Sequence, residues 1–301
     1  MTTPSSTDQP AIDDPHGLLA PEAEVERMAS GCGWSEGPLW MPETRVLRWS
    51  DIHGNRILEV DEAGIARVHR EDVEFTNARI AALGGVVQCS HGRRAVELEH
   101  ADGRVEVLVD RFGEHRLNSP NDLVQHPDGS IWFTDPPYGI EQPKEGHPGE
   151  REYGGCFVFR WSGEDGIAPV VTDMAKPNGL AFSPDRTTLY VTESAGVEDT
   201  AEVATIRAYR IEGEGAASRA VDGRRFATNS GGTPDGIAVD VAGRVWSSSG
   251  DGVHVVSPDG ERVAFVPVPE TVSNVTFGDD GWLWMTATTS VYRVRTTTRP
   301  A

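Results

Sequence analysis

A chain of 301 residues carrying a formal net charge of −20 repels phosphate backbones, and with no basic stripe it is expected to bind no nucleic acid. No apolar run approaches the length of a bilayer and no leader follows Met1, so the expectation is a soluble, cytoplasmic protein with no membrane partner. Cys32, Cys89 and Cys156 are an odd set without a C-x-x-C pair, which argues against a disulfide framework and a thiolate metal site and leaves free thiols.

Residues 1–22 are polar and proline-rich and are expected to form a mobile tail, with residues 23–301 making a single domain. The stretch AEVERMA from Ala23 alternates and predicts a strand. From there one unit recurs: EGPLWMPETRVLRWSD from Glu36, NARIAALGGVVQCSHG from Asn77, NDLVQHPDGSIWFTD from Asn121, NGLAFSPDRTTLYVTE from Asn178, DGIAVDVAGRVWSSS from Asp235 and NVTFGDDGWLWMTA from Asn274. The leading polar residues are 41, 44, 57, 57 and 39 positions apart, which brackets the roughly 40–50 residues of a propeller blade. Each unit turns, often at Asp-Gly as in Pro127-Asp128-Gly129, and leads to a bulky residue on a second strand: Trp49, Val87, Trp132, Tyr190, Trp246 or Trp284. A second hairpin usually follows, and no stretch keeps a helical period. The fold class is therefore all-β, a six-bladed β-propeller of four-stranded antiparallel blades. The last unit has room for only about three strands, so the strand after Ala23 is expected to supply its fourth and close the ring. Residues Glu141–Gly155, EQPKEGHPGEREYGG, form a polar insertion of the kind that can cover a tunnel mouth as a lid.

In a propeller the first strand of every blade lines one channel, so a residue at the same place in every unit faces the same space. Glu36, Asn77, Asn121, Asn178, Asp235 and Asn274 would then ring one mouth of the tunnel. They offer hard oxygen atoms and two carboxylates, with no His or Cys, which suits Ca²⁺ first, with Mg²⁺ or Mn²⁺ admissible and Zn²⁺ less favoured. Pro-Asn-Asp, Pro-Asn-Gly and Pro-Asp-Gly are also ordinary turn formers, and any one alone reads as structural. Repetition at one place argues otherwise, and no turn requires the Glu of Glu36-Gly37-Pro38. Gly33-Trp34-Ser35-Glu36-Gly37 matches the G-x-S-x-G elbow of serine hydrolases, but Pro38 and Pro42 follow in a β context and no helix can begin there.

The strings Glu36-Gly37-Pro38, LNSPNDLVQHPDGSIWFTDPPYGI from Leu117, KPNGLAFSPD from Lys176 and PDGIAVDVAGRVWSSSGDGVHVVSPDG from Pro234 resemble the gluconolactonase and regucalcin family of six-bladed propellers, and its bacterial gluconolactonase branch in particular. The resemblance runs from Leu18 onward. It implies one divalent metal, commonly Ca²⁺, held by Glu36, Asn178 and Asp235, with Asn121 at the metal or the substrate. It also implies a lactonase acting on a sugar lactone such as glucono-1,5-lactone, a small-molecule substrate. In that chemistry the cation would polarise the carbonyl, Asn121 could donate to the same oxygen, and Asp235 would act as general base, the alternative being that Asp235 only ligates and a metal-bound hydroxide attacks. Asn77, His91 and Tyr138 are further expected to touch the substrate from the pocket rim. Thr76-Asn77-Ala78-Arg79 and Cys89-Ser90-His91-Gly92-Arg93 depart from the family's pattern on the second blade, leaving open another ester, a larger lactone or a phosphotriester, or a propeller that only binds. The oligomeric expectation is a monomer or a small homo-oligomer.

Overall fold

The computed structural model describes residues 11–195, 204–229, 231–279 and 281–301. Six four-stranded antiparallel sheets follow one another along the chain. The innermost strands are Ser35–Met41, Thr76–Ala82, Leu123–Gln125, Pro177–Phe182, Ile237–Val239 and Val272–Phe277. Each pairs with the strand that follows it, through the turns the sequence marks. At Asp128-Gly129 the glycine sits at φ +86° and its N–H donates to His126 O at 2.9 Å, a conformation that costs a glycine little.

The bulky residues of the second strands pack between neighbouring blades. Trp49, Trp132, Trp246 and Trp284 are all buried, as is Val87. Trp132 meets Phe182 of the next blade edge-on at 5.2 Å between centroids, and Trp246 meets Phe277 in the same way at 5.5 Å. Trp40 stacks on Trp284 at 5.6 Å, which joins the first blade to the last. Large side chains placed at the same point in each repeat, aromatic in five of the six, thus supply the apolar contact that holds sheet on sheet. The ring closes as the repeat count requires: Glu26–Ser30 pairs antiparallel with Ser290–Arg295 as the outer strand of the sixth blade.

The expected tail over residues 1–22 needs correction. Residues 1–10 lie outside the described residues, but the chain from Asp13 onward is packed, with bridges from Asp13 to Phe265 and from Leu19 to Thr296. The Asp14 carboxylate accepts the N–H groups of Leu18 and Leu19 at 2.9 and 2.8 Å, a local turn that drives both leucines into the core of the last blades. Averaged composition hides two apolar residues presented by one capping aspartate. The insertion of the third blade likewise holds a four-residue helix, Tyr138–Glu141, in an otherwise all-β molecule. Cys89 and Cys156 are buried and Cys32 half-buried, all as free thiols. No helix among the described residues is long and apolar enough to cross a membrane.

Candidate active site

The site residues stand where the inner strands leave regular pairing. Register breaks fall between Glu36 and Leu39, Thr76 and Arg79, Pro177 and Leu180, and Val272 and Asn274. In the third and fifth blades the strand begins only after Asn121 and Asp235. Such irregularities re-aim side chains, which is how one position in every blade can turn toward the channel. Glycine then follows for a steric reason. A Cβ on Gly37, at φ +52°, would lie 2.3 Å from Asn77 O, and one on Gly236 would lie 2.0 Å from the Asn274 side chain. In the first, fourth and fifth blades the residue after the site is therefore glycine because the next blade's inner segment occupies its side-chain space, not because a hairpin turns there.

A hydroxyl on the second strand of one blade fastens the site residue of the next. Ser50 Oγ donates to Asn77 O at 2.9 Å, Thr134 Oγ1 to Asn178 O at 2.7 Å and Thr192 Oγ1 to Asp235 O at 2.7 Å. The acid one position later ties down the segment entering its own blade. Asp51 accepts the N–H groups of Gly33 and Trp34, Asp135 those of Asn118 and Ser119, and Glu193 those of Ala175 and Lys176. These pairs stand in the sequence as Trp49-Ser50-Asp51, Phe133-Thr134-Asp135 and Val191-Thr192-Glu193. Their recurrence is the signal that would have found them.

A cavity of about 310 Å³ opens at this end of the ring, lined by Glu36, Asn77, Asn121, Tyr138, Asn178 and Asp235 among others. The carboxamides form a chain across its floor. Asn77 Nδ2 donates to Asn121 Oδ1 at 2.6 Å, Asn121 Nδ2 donates to Asn178 Oδ1 at 2.5 Å, and Asn178 in turn bonds to Asp235. Burial pushes the Glu36 carboxyl up to about 8, although the Gly37 N–H donates to it at 2.9 Å. Burial and then the charge of Glu36 raise Asp235 well above the carboxylate range. Neither carboxylate makes an ion pair with Lys or Arg among the described residues. Tyr138, from the short helix, bonds to Ser194, and burial followed by Asp235 holds its phenol up.

Two sequence expectations change. His91 does not line the cavity. It is 1 % exposed beneath the carboxamides, where Asn77 Nδ2 lies 3.3 Å from its Nε2 and Glu145 O lies 3.1 Å from its Nδ1. Burial lowers it to about 4, so the ring is neutral at ordinary pH; Nδ1 faces the carbonyl of the insertion and Nε2 lies 3.1 Å from Asn121 Oδ1 as well as beside Asn77, so the single ring N–H serves one of the two oxygens. It ties the insertion to the ring where a rim contact to substrate was expected, because its buried ring is taken up by the carboxamides on one side and the Glu145 carbonyl on the other. Asn274 also lies behind the wall: its Nδ2 is 3.4 Å from Glu36 Oε2, and it faces a smaller cavity of about 150 Å³ that the inner strands of all six blades enclose. Asp122 shares that cavity, raised to about 7 by burial. Ser35 of the G-x-S-x-G match is buried within a strand, with Trp34 and Glu36 on the cavity and Ser35 off it. Sequence reasoning missed Trp34, Gln142 and Glu145, which also line the cavity. Gln142 and Glu145 lie in the insertion expected to act as a lid.

The donor set fits a hard cation. Among the described residues no three His, Cys, Asp or Glu side chains converge on a point, but the carboxylates of buried Glu36 and half-buried Asp235, neither of them ion-paired, face one cavity with carboxamide oxygens beside them, and the buried Asn77 Oδ1 has no hydrogen-bond partner.

Comparison with known proteins agrees with the geometry. The model of the SMP-30/Gluconolactonase/LRE-like region matches residues 34–289. The chain belongs to this family. The gluconolactonase of Zymomonas mobilis is 30% identical over 93% of this chain and 83% of its own length, and a pentonolactonase of Haloferax volcanii is 29% identical over 83% of the chain and 79% of its own. The solved structure of a gluconolactonase from Xanthomonas campestris superposes with a TM-score of 0.87 at 37% identity, covering 96% of each chain. A calcium-binding regucalcin of Agrobacterium tumefaciens shares the fold at 19% identity, with a TM-score of 0.71.

Proposed function

We propose that this family member is a lactonase that hydrolyses a sugar lactone such as glucono-1,5-lactone to the aldonic acid, using one divalent cation, Ca²⁺ by preference. The observation that carries this reading is the pair of carboxylates, buried Glu36 and half-buried Asp235, which face one 310 Å³ cavity without a cationic partner. That volume sits at the small end of the roughly 300–1,000 Å³ of small-molecule sites and suits a single six-membered lactone. Relatives named as lactonases support the substrate class.

Glu36, Asn178 and Asp235 would hold the cation, whose chemistry there is to draw electron density from the lactone carbonyl and favour the negative charge that builds on its oxygen. One N–H of Asn121 Nδ2 is committed to Asn178, which leaves the other for the substrate oxygen. Asp235 takes the proton of the attacking water and returns it to the ring oxygen as the C1–O5 bond opens. Tyr138 and Asn77 line the wall and meet the sugar hydroxyls. Gln142 and Glu145 cover the opening and limit the water that enters. The test is hydrolysis of glucono-1,5-lactone, corrected for its spontaneous opening, by protein stripped of metal and then reloaded. Activity is expected to vanish and return with Ca²⁺, and full turnover by verified metal-free protein would refute the metal role.

A further inference from the structure

The site does not end at the small cavity. A second cavity of about 690 Å³ lies outside it, lined by Trp34, His53 and residues 141–145, and it shares Trp34, Gln142 and Glu145 with the inner one. The inner space suits one ring, so the outer space is more than that ring needs. Its lining has a definite chemistry. Trp34 is half-buried and keeps ring contact with His53 at 6.3 Å between centroids, which leaves an aromatic surface as one wall. Along the rest of the lining, Glu141 is committed to Arg151 and Lys176, but the side chains of Gln142, Lys144 and Glu145 make no hydrogen bond or ion pair among the described residues. An amide, an ammonium and a carboxylate therefore present uncommitted donors and acceptors in the same cavity as an aromatic face. A charged substituent would use one sign only. A pyranose uses the whole set, since its C–H face packs on an aromatic ring while its hydroxyl edge both donates and accepts.

We propose that this outer cavity is a subsite for a second sugar ring, so that the preferred substrate is the 1,5-lactone of an oxidised disaccharide. The inference rests on the lactonase reading. Water adds to C1 of the lactone, the C1–O5 bond breaks to give carboxylic acid and hydroxyl, and the glycosidic bond stays intact while the second ring sits between Trp34 and Lys144. Contacts remote from the reacting carbon then raise the rate on the larger substrate.

The experiment compares kcat/KM for glucono-1,5-lactone with that for its 4-linked and 6-linked glucosyl derivatives, prepared by oxidation of cellobiose and gentiobiose. At least one disaccharide lactone is expected to exceed the monosaccharide by about tenfold, and the double variant His53→Ala/Lys144→Ala to lose about that factor on it while staying within about twofold on glucono-1,5-lactone. Hydrolysis of glucono-1,5-lactone with no advantage for either disaccharide overturns the subsite and leaves the lactonase reading standing. Equal losses on both substrate sizes in the double variant also overturn it. Failure to accelerate any of the three lactones overturns both readings together.

Discussion

Replacing Thr192 by Val isolates the device that sets two site residues relative to each other. The Thr192 hydroxyl is fully buried, donates to Asp235 O at 2.7 Å and accepts the Gly179 N–H at 2.8 Å. Valine keeps the shape, so no cavity opens, and the change leaves one buried carbonyl and one buried N–H without partners. Each orphan costs about 1–3 kcal/mol, so for the two a loss of about 2–6 kcal/mol is expected. The effect reaches catalysis because Gly179 follows Asn178 and the released carbonyl is that of Asp235. A misplacement of about 1 Å in such a site can lower turnover on the order of 10²-fold. Urea denaturation at saturating Ca²⁺ gives the stability change, and kcat on glucono-1,5-lactone at the same Ca²⁺ gives the positional one. Thr192→Ser keeps the hydroxyl and is expected to hold most of both. A valine variant within about 0.5 kcal/mol of the parent and equally active would refute the view that this hydroxyl fastens the fifth blade to the fourth.

Three further outcomes follow from the same site. Glu36→Gln removes one of two charges available to a cation, and calorimetric titration is expected to show Ca²⁺ binding weakened by at least about tenfold; an unaltered Kd removes Glu36 from the ligand set. Asp235→Asn, measured with the metal site shown to be saturated, is expected to lose on the order of 10²–10⁴ in kcat, and a variant within a few-fold of the parent would return the base to another group. Asp135 is raised from 3.8 to about 7, chiefly by burial, against the hydrogen bonds of Tyr153, Asn118 and Ser119. The folded state therefore binds its proton more tightly than the unfolded state, so its contribution to stability is full below about pH 4 and is lost as pH rises toward 7. Thermal midpoints for Asp135→Asn are expected to be lower overall but flatter across that window than the parent's, and parallel curves would contradict the assignment.

The sequence by itself carried whatever a local rule repeats. Six units spaced like blades, Asp-Gly turns and one bulky residue per second strand determine a six-bladed ring, because alternation and turn chemistry act over a few residues and recur. The polar residue opening each unit pointed to a shared channel, and Glu36, Asn77, Asn121, Asn178 and Asp235 do line one cavity. What tertiary structure alone decided depends on which blade lies beside which. Nothing local says that Asn274 stands behind Glu36, or that His91 lies under Asn121 and Asn77 with the insertion above it. Nor does composition say that Asp14 turns Leu18 and Leu19 into the last blades. Trp34 was visible only as part of a misleading hydrolase match, since its role comes from facing an insertion more than a hundred residues away. Periodicity reports which way a side chain points along its own strand, whereas the neighbour it meets is set by closing the ring, a contact between residues with no sequence relation.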